Sequence, residues 1–145
     1  MWTYDCSAET SARPEVIFEL FRDVSTWPRW NAGVESMELD GPFMPGTTGT
    51  MKFPGQDPMR MRLIAVDEGR GFEDETEIPG AGVVVRVRHA LTVLDSSRTR
   101  IDYGFIIDGP AADTLGPVIG PDITADFPSV LAALIAEAEA ATAPR

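Results

Sequence analysis

Between residues 59 and 108 the chain alternates apolar and polar side chains through four consecutive segments. That period of two constrains the fold more than any other feature. Met59–Val66 sets Met59, Met61, Leu63 and Ala65 against Arg60 and Arg62. Gly71–Ile78 sets Phe72, Asp74, Thr76 and Ile78 against Glu73, Glu75 and Glu77. After the PGAG turn, Val83–Leu94 sets Val83, Val85, Val87, His89, Leu91 and Val93 against Arg86 and Arg88. After Asp95–Ser97, the segment Arg98–Asp108 sets Thr99, Ile101, Tyr103, Phe105 and Ile107 against Arg98, Arg100 and Asp102. Half-buried strands joined by short turns read as an antiparallel meander. Paired in that order, the glutamates lie between two arginine pairs, so a charge-paired solvent face is expected there rather than an anion site.

The flanks supply the remaining elements. Trp2–Glu9 alternates as a further strand, with Trp2, Tyr4, Cys6 and Ala8 on one side. Ala12–Asn31 begins with a proline-initiated amphipathic helix carrying Val16, Ile17, Leu20, Phe21 and Val24 on one face. Ser25 and Thr26 can cap a second short helix opened by Pro28 and bearing Trp27 and Trp30. Two tryptophans on so short an element demand a broad apolar partner. Val34–Leu39 and Thr48–Phe53 read as strands with Met37, Leu39, Met51 and Phe53 inward. Gly109–Gly120 is punctuated by prolines, and a helix is expected from near Pro121 to about Ala141, with Phe127, Leu131, Leu134, Ile135 and Ala138 as its stripe and a kink or false start at Pro128.

Composition narrows the function classes. At 145 residues the chain is most economically one domain, 1–145. Twenty-three acidic against 12 basic residues give a net charge of −11, which repels nucleic acid and anionic membrane surfaces. A single cysteine, Cys6, allows no intrachain disulfide and fits a reducing compartment. The opening MWTYDCSAET lacks the basic and apolar regions of a secretory signal. No apolar run approaches the ~18 residues of a membrane helix. A cytoplasmic location without membrane insertion is expected.

The order of elements, together with ARPEVIFELFRDVSTWPRWN (Ala12–Asn31), the PG–TG segment Pro45–Gly49, VDEGRGFEDE (Val66–Glu75), RVRHALTVL (Arg86–Leu94), TRIDY (Thr99–Tyr103) and LAALIAEAEA (Leu131–Ala140), resembles the helix-grip fold of the START-like (SRPBCC) superfamily, polyketide cyclases/dehydrases among them. The resemblance implies an α+β fold: a seven-stranded curved antiparallel sheet wrapped around a long C-terminal helix, with two short helices between the first two strands. It also implies a cavity between sheet and helix. Inward parity then nominates wall residues from each strand: Met51 and Phe53; Met59 and Met61; Phe72, Asp74 and Thr76; Val87, His89 and Leu91; Tyr103 and Phe105. Phe127 and Leu131 of the helix join them.

His89, the only histidine, with Tyr103 and Asp74 forms the one inward titratable cluster of the sheet, and these three are the candidates for acid–base work. A core histidine satisfied by a neighbour is the competing reading of His89. Trp27 and Trp30 read as structural, and Cys6 as an inert core thiol. One histidine and one cysteine supply neither a zinc site nor the two-histidine iron site of an oxygenase branch of the superfamily, so no metal and no cofactor are expected. There is no G-x-S-x-G elbow and no phosphate loop, and the sole lysine, Lys52, lies on a polar face. The leading expectation is binding of an apolar or aromatic small molecule in the cavity. The alternatives are a polyketide cyclase/dehydrase-like enzyme using His89 or Tyr103 as acid/base, and a protein-interaction module whose cavity is filled by large side chains. A homodimer is left open.

Overall fold

In the computed structural model, residues 1–142 are described. The chain runs β1 (Trp2–Thr10), α1 (Pro14–Arg22), a 3-10 turn (Val24–Thr26) and α2 (Trp27–Trp30). Six strands follow: β2 (Ser36–Leu39), β3 (Thr48–Lys52), β4 (Met59–Asp67), β5 (Gly71–Ile78), β6 (Val83–Asp95) and β7 (Arg98–Asp108). The chain closes with α3 (Ala112–Thr124) and α4 (Phe127–Thr142). All seven strands join one antiparallel sheet in the order β1-β7-β6-β5-β4-β3-β2. The meander is consecutive from β2 to β7, and β1 returns to the far edge, pairing from Trp2 opposite Ile107 to Thr10 opposite Thr99. The expected helix-grip architecture is therefore present.

The alternating pattern fixes which face is covered. On the solvent face Glu75 lies between Arg62 (3.2 Å) and Arg86 (2.8 Å), and Arg86 also reaches Asp108 at 3.3 Å. Arg60 instead pairs with Thr50 on the neighbouring β3 and with Asp40, just past the end of β2. Arg60, Arg62 and Arg86 are thus satisfied within the surface.

Two positions break the expected parity. The β4–β5 register shifts between Leu63 and Ala65, so that Ala65 faces Glu73 on the solvent side and Val66 turns inward opposite Phe72. One inserted residue is enough to exchange the faces. Val93, expected inward, is 62% exposed at the β6–β7 hairpin, where the register slips again.

Helical structure at the C-terminus starts earlier than the prolines indicate. α3 begins at Ala112 and contains both Pro117 and Pro121. Its support comes from the other end of the chain. A Cβ at Gly116 would come within 2.4 Å of the Trp2 side chain, and one at Gly120 within 2.5 Å of its ring. The indole therefore packs into a groove that two glycines four residues apart leave open, and this contact outweighs their poor helix propensity. The break falls at Ala125–Asp126, just before Pro128. There the proline ring would collide with the carbonyl of Thr124, four residues back.

Within the helical stretch Ala112–Ala141, an 18-residue window of mean hydropathy 1.4 passes for a membrane span by length and composition alone. In this fold the stretch buries Val130, Leu131, Leu134 and Ala138 in the core shared with Ile17, Phe18 and Phe21 of α1 and with both α2 tryptophans. Those indoles are satisfied locally: Trp27 donates to the Phe21 carbonyl at 3.0 Å and Trp30 to the Thr26 hydroxyl at 3.2 Å.

Candidate functional site

The covered face of the sheet does not pack uniformly. Between β3–β7, α2 and the α3–α4 junction lies a cavity of about 540 Å³, within the range of small-molecule sites. Its sheet wall is formed by alternate residues of successive strands: Met51, Met59, Asp74, Thr76, Val85, Val87, His89, Tyr103 and Phe105. Trp27, Trp30, Phe127 and Val130 close the helical side, and Asn31, Gln56, Asp122 and Asp126 contribute polar groups. Phe127 holds its place by edge-to-face contacts with Tyr4, Tyr103 and Phe105 at 5.6–6.0 Å.

The polar floor follows from register. Phe72, His89, Tyr103 and Cys6 form one cross-strand row over β5, β6, β7 and β1. Asp74 is two residues along β5 from Phe72, which places it diagonal to His89. His89 stacks on Phe72 at 4.0 Å between centroids and meets Tyr103 edge-on at 4.6 Å. Gly71 lets β5 approach this closely, since a Cβ there would lie 2.1 Å from the His89 carbonyl oxygen. The His89 Nδ1 atom and the Tyr103 hydroxyl are buried without a hydrogen-bond partner among the described residues. Asp74 has no ion-pair or hydrogen-bond partner among the described residues.

Burial sets the protonation of all three. It lifts Asp74 to about 7, with a smaller push from the neighbouring Glu73 carboxylate. It depresses the His89 imidazole to about 3, partly opposed by the Phe72 backbone, so the ring is neutral near pH 7. It drives Tyr103 above the ordinary phenol range, helped by Cys6 and Asp74, and the hydroxyl keeps its proton. The floor thus presents two neutral groups and one carboxyl poised near neutrality.

A family model described as polyketide cyclase / dehydrase and lipid transport matches residues 1–139. The chain belongs to this family. No curated protein matches the sequence. Among solved structures it is similar to Ara h 8.0201 (TM-score 0.77, 14% identity, 95% of this chain and 97% of that one). It is also similar to norcoclaurine synthase from Thalictrum flavum (TM-score 0.70, 18% identity, 92% and 84%), and to a protein from Thermobifida fusca (TM-score 0.72, 22% identity, 100% and 98%). At these identities the likeness establishes the fold.

The family's fold brings most of the nominated wall residues to one cavity. Met51, Phe53, Met59, Asp74, Thr76, Val87, His89, Tyr103, Phe105 and Phe127 border it. Four do not. Met61 and Leu131, each 2% exposed, are locked in the main core with Ile17, Phe18 and Phe21. Phe72 and Leu91 instead border a shallower groove of about 250 Å³ at the far end of β5 and β6.

Ile78 and Val85 share the parity of the nominated residues and were readable by the same rule. Asp122 and Asp126 fall in the helix expected from near Pro121, off its apolar stripe, and were not nominated. Among the described residues no group of three His, Cys, Asp or Glu side chains is placed to hold a metal.

Proposed function

We propose that this protein binds an apolar or aromatic small molecule in the sheet–helix cavity. The supporting observation is the cavity itself: about 540 Å³ walled by Met, Val, Phe and Trp side chains, with two unpartnered buried polar atoms on its floor. Unpaired buried polar groups are costly, and a ligand that supplies their hydrogen bonds removes that cost. The methionines Met51 and Met59 give the wall the adaptability that an irregular ligand requires. An interaction module with a filled cavity fits this interior poorly.

The test is binding of the neutral fluorophore N-phenyl-1-naphthylamine to the wild type and to Val87→Trp, in which the larger ring occupies the cavity. Wild type is expected to enhance the fluorescence saturably and to gain about 2.7 kcal/mol of stability at 100 times the dissociation constant. The variant, folded by circular dichroism, is expected to do neither. Equal binding by both proteins, or by neither, refutes the reading.

Asp74 favours a second reading, an enzyme of the polyketide cyclase/dehydrase type. Its pKa near 7 suits proton transfer at neutral pH, whereas His89 at about 3 is too weak a base and Tyr103 too weak an acid. In that case Asp74 carries the proton, in place of His89 or Tyr103. Asp74→Asn would then abolish turnover while leaving binding of the neutral fluorophore intact.

A further inference from the structure

The charge of the cavity is one-sided. Asp74 sits on the floor, and Asp122 and Asp126 stand at the α3–α4 junction. Among the described residues no lysine or arginine borders the space. Lys52, between the wall residues Met51 and Phe53, is held 2.8 Å from the Phe53 carbonyl and 3.3 Å from Glu35. A ligand with a carboxylate or phosphate head would therefore bring its charge to the buried Asp74 and the exposed Asp122 and Asp126 with no counter-ion, and its desolvation would go uncompensated.

The floor offers acceptors instead. A neutral imidazole has one bare acceptor nitrogen, and a phenol oxygen accepts as well as donates. The two rings are directly opposed across β6 and β7, with Asp74 one diagonal step away. Three acceptor groups on adjacent strand positions match the three N–H bonds of a primary ammonium.

We infer that the cavity selects a hydrophobic amine, its ammonium head on Asp74 beside His89 and Tyr103 and its apolar body against Phe105, Phe127 and Trp30. The inference rests on the small-molecule reading of the cavity and adds the chemical class of the ligand. Pairing with a cation stabilises the Asp74 carboxylate in a setting where burial otherwise disfavours it. The net charge of −11 also draws cations toward the molecule.

The test uses three probes of one skeleton, 4-phenylbutylamine, 4-phenylbutan-1-ol and 4-phenylbutanoate, titrated calorimetrically into the whole protein at pH 8. The amine is expected to bind at least tenfold tighter than the alcohol, and the acid more weakly than either. In Asp74→Asn the amine is expected to fall to the level of the alcohol, whose affinity stays within about threefold of wild type. In the double variant Asp122→Asn, Asp126→Asn the amine preference is expected to persist.

Equal affinities for all three probes, or preference for the acid, overturn the amine assignment and leave the cavity reading standing if N-phenyl-1-naphthylamine still binds. An amine preference that survives Asp74→Asn and disappears in the double variant overturns the docking of the head on Asp74. If neither the probes nor the fluorophore bind, both readings fall.

Discussion

Asp74→Asn isolates the energetics of the cavity floor. In the folded protein Asp74 holds its proton to about pH 7, against 3.8 for an ordinary aspartate. The native state therefore binds that proton more tightly than the unfolded chain. Its contribution to stability is fully present below pH 3.8 and is lost as pH rises through about 7. At ~1.36 kcal/mol per decade of proton affinity, the loss is about 4 kcal/mol. His89 works in the opposite direction. Its pKa is depressed to about 3, so its contribution is present above 6.5 and lost as pH falls.

Across the shared window the two slopes oppose each other in the wild type, and removing one exposes the other. Asn keeps the shape of Asp74 and cannot ionise, so its own packing cost is independent of pH. The variant's stability relative to wild type is expected to rise by about 4 kcal/mol between pH 4 and pH 8. In melting temperature this is roughly 8–16 °C for a domain of this size. Urea unfolding followed by tryptophan fluorescence at pH 4, 6 and 8 reads the difference directly, and other titrating groups cancel in the comparison. A variant–wild-type difference that stays constant within about 1 kcal/mol would refute the reasoning. It would mean that Asp74 is already ionised in the native state, paired with a protonated His89, and that both groups are misassigned as neutral.

Two further outcomes test the frame around the cavity. Gly120→Ala places a methyl group 2.5 Å from the Trp2 ring and is expected to cost about 1–3 kcal/mol in denaturant midpoint analysis; in a Trp2→Ala background most of that cost should vanish, the coupling expected of groups in direct contact. Glu75→Gln, which breaks both arginine pairs on the outer face, is expected to change stability by no more than about 1 kcal/mol, with a correspondingly weak dependence on salt.

What was legible in the sequence is what depends on local period. His89, Tyr103 and Asp74 come to one floor because alternation places every second residue of a strand on the same face, and a consecutive meander carries that face from β5 to β7. The same rule fails where one residue is inserted: at Leu63–Ala65 the bulge sends Ala65 outward, and nothing in the run MRMRLIAVD marks the slip. It also cannot separate Met59 from Met61. Both point inward, yet Met59 borders the cavity while Met61 is sealed in the core. That difference lies in what packs over each position, which is a long-range property.

The dependence is plainest at α3. Read locally, its glycines and prolines break structure, and the helix persists because Gly116 and Gly120 receive Trp2 from the opposite end of the chain. Asp122 of that helix and Asp126, just past its end, border the cavity. The negative charge at this side of the cavity therefore depends on an indole more than a hundred residues away in sequence. Loosening the Trp2 contact is accordingly a way to alter the charge around the ligand without touching any residue that borders it.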